Sequence, residues 1–227
     1  MTTVLPAIFT PDAVRKVVDN LQLMARAQAV RELGSGVGPN ALGDPFEATC
    51  GRVVAGRPEP LPDEPLCVGE RIYVRMHNQG KRTLYAWVFD VGLGDRISLL
   101  TKSGPSGIEV KPGEDYVVGY LEFDGLVGLR LGWPEVVPKQ EQRHEFLVVI
   151  LSDVRQNLSA LQTTGVQSLE SRSLESRGRK SLLQQLLEQV DSGNTRDLQD
   201  DDELHEEARY AVKQFTFLVQ PPRDHGA

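Results

Sequence analysis

The amino-acid sequence predicts a mainly β protein: an antiparallel Ig-like β-sandwich with an N-terminal amphipathic helix and a helical, partly disordered insertion before the last strand. Three observations carry this. From Phe46 to about Asp153 the chain consists of short β-branched and aromatic runs cut by Gly and Pro turns, at roughly 8–12 residue spacing. Two of those runs, "TLYAWVFDV" and "FLVVILS", are apolar on both faces, as strands covered on both sides are. Helical spacing of apolar residues occurs only before and after this region.

Thr10 and Pro11 look like an N-cap followed by proline at the first helical position. Val14, Val17, Val18, Leu21, Met24 and Ala25 then repeat at helical spacing, which predicts a helix over 11–33 closed by Gly34. Its apolar stripe must bury against something, either the body of the protein or a partner, so Val14, Val17, Val18 and Leu21 are the candidate partner-facing residues. "GSGVGPNALGDP" is a loop, "ATCGRVVAG" a strand and "GRPEPLPDEPLCVGE" a proline-rich connection. In "RIYVRMH", Ile72, Val74 and Met76 point one way and Tyr73, Arg75 and His77 the other. "HNQGKR" reads as a hairpin turn into "TLYAWVFDV", with Tyr85, Trp87 and Phe89 on one face and Leu84, Ala86 and Val88 on the other. Asp90, Gly92 and Gly94 read as turn residues before "RISLL", and a Pro-Gly turn at 112–113 joins two further strands.

After Asp153 the texture breaks. "SLESR" occurs twice in tandem at 168–177, "SLLQQLLEQV" is amphipathic through Leu182, Leu183, Leu186, Leu187 and Val190, and "DLQDDDELHEE" is acidic. "AVKQFTFLVQ" places Phe215, Phe217 and Val219 on one face and is expected to return to the sheet; the alternative is a separate C-terminal helical element. The chain thus divides into a helix and loop (1–45), a sandwich (46–155 with 209–220) and a low-complexity, helical insertion (156–208).

Composition excludes several function classes. A net charge of −7 argues against a nucleic-acid footprint, which needs concentrated Lys and Arg. No apolar run is long enough to span a bilayer, and "MTTVLPAIFTPDAVRK" lacks the regions of a secretory signal, so a cytoplasmic location is expected. The two cysteines, Cys50 and Cys67, match no metal or redox spacing and read as reduced thiols. Cys50 has no histidine base in a fitting context, Ser106 in "SGPSG" misses the nucleophile-elbow spacing, and "GSGVG" follows a helix rather than a strand. The acidic run from Asp200 to Glu207 lacks the alternation of a calcium loop. Trp87 reads as core, and Trp133, before Pro134, as a residue that closes one end of the sandwich or sits on its rim. The expectation is therefore a non-enzyme with no cofactor, no metal, no nucleic acid and no membrane contact; an enzyme with an unrecognised site is the alternative, and the oligomeric state stays open.

The order of "VRMHNQG", "LYAWVFDVGLGDRISLLT", a Pro-Gly turn before a strand, "GWPEVVP" and "EFLVVILSD" resembles the accessory β-domain that follows the catalytic domain in many caspase-like, metacaspase-related proteins of fungi and bacteria. That family has a strand of the type "LYVxVFDVG" with a "GxxxLL" continuation, and a late strand ending in a Ser-Asp pair, here Ser152 and Asp153. The resemblance covers residues 50 to 155, and "LQLMARAQAVRELG" is similar to the helical connector that leads into the domain. It implies an interaction or regulatory β-sandwich of undefined ligand, and the leading expectation is a module that docks on a caspase-like protease or another effector. The family's His and Cys dyad belongs to the upstream domain, so protease activity does not carry over.

Arg172, Arg177, Arg179 and Lys180 form a candidate protease-sensitive segment, since exposed basic residues suit proteases that cut after Arg or Lys. Incubation with a caspase-like protease of that specificity, followed by sequencing of new N-termini, is expected to place cleavage between Arg172 and Lys180. A chain that survives uncut there would end the idea of a cleaved switch.

Overall fold

The computed structural model describes residues 11–165 and 208–222. The helix α1 (Pro11–Arg31) is followed by β1 (Phe46–Val54), β2 (Arg57–Pro60), β3 (Leu66–Cys67), β4 (Arg71–Asn78), β5 (Leu84–Val91), β6 (Ile97–Leu99) and β7 (Ile108–Val110). Then come β8 (Asp115–Val118), β9 (Tyr120–Leu121), β10 (Gly125–Leu126), β11 (Leu129–Arg130), β12 (Arg143–Ser152) and β13 (Tyr210–Gln220). One sheet runs β11-β4-β1-β2 with β8 also on β4, and the other runs β3-β13-β12-β5-β6 with β7 on β5. All pairings are antiparallel except that of β13 with β3.

The two sheets share one core. Ile72, Val74 and Met76 of β4 meet Leu84, Ala86 and Val88 of β5, Leu147, Val149 and Leu151 of β12, and Phe217 and Val219 of β13. The opposite face of β5 and β12 carries a second core of Trp87, Phe89, Val91, Val148 and Ile150, covered by Ala27, Val30 and Leu33 at the end of α1 and by Leu158 and Leu161 of a 3-10 turn. This double covering is why both strands are apolar throughout. Residues 157–163, on the insertion side of the sequence boundary, belong to the packed body. Thr163 Oγ1 and Gln162 Oε1 accept from the backbone of Ile97 and Leu99, which caps the exposed edge of β6.

The last strand returns to the sheet as the sequence suggests, paired with β12 from Arg143↔Val219 to Ser152↔Tyr210. Asp153 Oδ2 accepts from Arg209 Nε at 2.6 Å, with Arg82 Nη1 3.6 Å away, so the two ends of the excursion are clamped together. The tandem repeat, the "SLLQQLLEQV" helix and the acidic run fall outside the described residues.

One expectation is corrected. The segment "HNQGKR" is no hairpin, because β4 and β5 lie in different sheets. Residues 79–83 cross the sandwich, and the turn between β7 and β8 crosses it again at the same corner. Asn78, fully buried, ties the two crossings. Its Nδ2 donates to the Arg82 and Val110 carbonyls at 2.7 Å each, and its Oδ1 accepts from Gly80 N at 2.9 Å. Its own N–H donates to Glu114 O at 3.1 Å, and its carbonyl accepts from Gly113 N at 2.8 Å. Gly113 takes φ 76°, the left-handed conformation this turn requires.

Asn78→Leu keeps the volume but strands two carbonyls without donors. It is expected to lower the unfolding free energy by about 2–4 kcal/mol, read from urea denaturation. A loss below about 1 kcal/mol would show that the amide is dispensable.

Candidate functional site

The inner faces of β5 and β12 run apolar until they near one end of the sandwich. On β5 the inward series Leu84, Ala86, Val88 continues to Asp90; on β12 the series Leu151, Val149, Leu147 continues to Glu145. Register sets Asp90 opposite Leu147 and Val91 opposite Phe146, so the two carboxyls occupy successive inward positions on neighbouring strands. There the sheets part around a cleft of about 510 Å³. Leu93, Leu100, Leu129, Leu131, Trp133 and Leu147 supply its apolar walls, and Asp90, Glu145, Ser98, Arg96 and Arg130 its polar lining. Trp133 lies in the wall of this cleft, its indole fixed by Nε1–H donation to Val137 O at 3.0 Å.

Both carboxyls are largely withdrawn from water, and neither Asp90 Oδ1 nor Glu145 Oε2 finds a hydrogen-bond partner among the described residues. Burial first, then the charge of Asp90 and its hydrogen bond, pushes Glu145 up to about 10. Asp90 is also raised by burial, held back by its hydrogen bond with Glu145 and by the Arg96 guanidinium. At neutral pH the pair therefore holds a proton on Glu145. Two uses fit such a pair: transfer of that proton, or service as counter-ion to a bound cation.

The other feature is α1. Arg31 Nη2 reaches Asp95 Oδ1 at 2.7 Å with its guanidinium over the Phe146 ring, and Gln214 Nε2 donates to Leu33 O at 3.0 Å. These contacts, with Ala27, Val30 and Leu33, anchor the C-terminal part of the helix. The sequence-predicted stripe is not the buried one. Val14, Val17, Val18, Leu21 and Met24 are 38–58% exposed, and the anchoring residues Ala27 and Val30 follow a different line along the helix.

Other candidates fall away from any site. Cys50 lies in β1 against the core as a free thiol, and burial pushes it up to about 12, the reverse of activation. Cys67 is exposed and free. His77 pairs with Asp115 at 3.0 Å on the outer face of β4, and His144 stacks loosely near Phe146. Arg172, Arg177, Arg179 and Lys180 lie outside the described residues. Among the described residues no group of three or more His, Cys, Asp or Glu is placed to hold a metal ion, and no helix is long and apolar enough to cross a membrane. Asp90, read from sequence as a turn residue, is instead a strand residue facing inward, and Glu145 was not singled out at all. Their shared parity with core residues is the signal that finds them, once β5 and β12 are known to be neighbours.

No family model, curated protein or solved structure matches the chain.

The protonated Glu145 makes stability depend on pH. In the unfolded chain a glutamate has its ordinary value of 4.5, while the folded one holds its proton to about 10. The folded state thus binds the extra proton between these values, and its stabilising effect, complete below the lower one, is lost as pH rises, by at most about 1.4 kcal/mol per pH unit. The melting temperature is expected to fall from pH 5 to 9, and Glu145→Gln to flatten that fall. Parallel profiles for parent and variant would show that the pair is ionised in the fold.

Proposed function

We propose that this chain is a non-catalytic protein-interaction and regulatory module, which docks a partner on the apolar face of α1 and serves a caspase-like protease system. The observation that carries the docking is the exposure of Val14, Val17, Val18 and Leu21 on a helix whose other end is firmly held. These positions are related as i, i+3, i+4 and i+7, the anchor pattern of a helix laid in a groove. Leaving them in water forfeits roughly 25 cal/mol for each Å² of apolar surface, which a partner recovers. A second apolar exposure, Tyr120, Leu121 and Phe123 on the β9–β10 hairpin, extends the surface available to a protein ligand. The protease system is proposed from the resemblance of residues 50 to 155, and its partner on α1 is a catalytic domain of that type.

The measurement is calorimetric titration against the caspase-like catalytic domains encoded in the same genome. Micromolar or tighter binding is expected, weakened at least about tenfold by a Val17→Asp, Leu21→Asp double substitution that leaves the circular dichroism unchanged. Binding indifferent to the double substitution would remove α1 from the reading. Failure to bind any such domain would remove the protease system.

A further inference from the structure

The cleft between the sheets has no part in the docking face of α1, and nothing in the fold requires its chemistry. A fourth inward-facing apolar residue on each strand would close this end of the sandwich as the first three close the rest. Instead two carboxyls stand in apolar surroundings, with Asp90 Oδ1 and Glu145 Oε2 buried and unpartnered among the described residues. Buried oxygens of this kind cost free energy until something donates to them.

The other oxygen of each carboxyl, Asp90 Oδ2 and Glu145 Oε1, converges on Gly92. The position a Cβ on Gly92 would take lies 3.5 Å from Glu145 Oε1, 3.7 Å from Asp90 Oδ2 and 3.8 Å from the Arg96 carbonyl oxygen. Three acceptors therefore surround a spot kept clear by the missing side chain of a residue that itself lines the cleft. Arg96 O already accepts from Gly92 N at 2.9 Å, which leaves its second lone pair. A bare ion does not account for the rest, because the cleft of about 510 Å³ has the volume of a small organic molecule and walls of leucine and tryptophan. The occupant these features select has a charged head that only donates, and an apolar body. Arg96 and Arg130, exposed at the lining, oppose a second positive charge on that body.

We propose that the cleft binds a mono-cationic organic ligand, a primary ammonium or guanidinium group on an apolar stem, with Asp90 and Glu145 as its counter-ions and Trp133 against the stem. The source is either a free amine or the Lys or Arg side chain of a peptide, and both present the same head. Arg31, on the far side of β12, and Arg96 are the charged groups that also act on the pair. Binding displaces the proton from Glu145, so it strengthens as pH rises.

Calorimetry at pH 8 and fixed ionic strength, on the full chain, tests this with hexylammonium, N-acetyl-lysine methylamide, N-acetyl-arginine methylamide, hexanol, spermidine and Ca²⁺. Saturable binding of at least one mono-cation below about 10 mM is expected, at least tenfold tighter than hexanol or spermidine, with proton release detected by buffer dependence. Tighter binding of a capped amino acid than of hexylammonium assigns the source to a peptide, and the reverse order to a free amine. Gly92→Ala places its methyl at ordinary contact distances, so it folds and is expected to weaken binding at least tenfold. Glu145→Gln is expected to abolish the proton release. Equal binding of hexanol would reduce the cleft to an apolar hole. Ca²⁺ binding that the amines do not displace, or no mono-cation binding at all, would overturn the proposal.

Discussion

The chain passes from one sheet to the other twice at the same corner, and a single buried amide holds both passages. Asn78 uses both its side-chain N–H groups, its side-chain oxygen and both backbone groups on partners drawn from residues 80, 82, 110, 113 and 114. Because β4 ends and β5 begins at this corner, the post sets how β4 of one sheet faces β5 of the other. Side chains alternate strictly along a strand, so a slip of one residue here would turn Leu84, Ala86 and Val88 out of the shared core and Trp87 and Phe89 into it. Apolar packing alone tolerates such exchanges more readily than a buried amide does, since the amide accepts one arrangement of carbonyls.

The same alternation produces the cleft. β5 and β12 are each covered on two faces, by the other sheet and by α1 with the 3-10 turn, and they form the stiff centre of the molecule. Polar groups presented from such a centre are held in place by the backbone rather than by loops. Asp90 and Glu145 are presented in this way, whereas the apolar stripe of α1 lies exposed, away from the line of Ala27 and Val30 that packs on the body. The molecule thus combines a pair of acids on doubly covered strands with an exposed apolar helix face.

Local pattern was enough to identify elements and the direction in which their side chains point. The valines and leucines of α1, the alternation of "RIYVRMH" and the two-faced apolar runs are all short-range facts, and each corresponds to an element of the fold. Partnership was not legible. "HNQGKR" has the composition of a tight turn whether the strands beside it pair or separate, and what separates them is a contact between Asn78 and Val110, remote in sequence. The acids were hidden for the same reason. Asp90 precedes two glycines and looks like the start of a turn, and its inward parity matters only beside Glu145, more than fifty residues later. On α1 the stripe was visible, but the body packs against a different line of the helix, that of Ala27 and Val30, which only the placement of the sheet reveals.

β13 lies between β3 and β12, yet it is separated from β12 in the chain by residues 153–209. During synthesis β12 is complete long before the strand that pairs with it leaves the ribosome. Until then the β12 edge is open, β3 has no strand partner, and the shared core lacks Phe217 and Val219. The nascent protein therefore passes through a stage as an incomplete sandwich, in which α1 and the first sheet can already be formed. Final closure is a late, long-range event, and chaperones that shield unpaired strands would act in that interval.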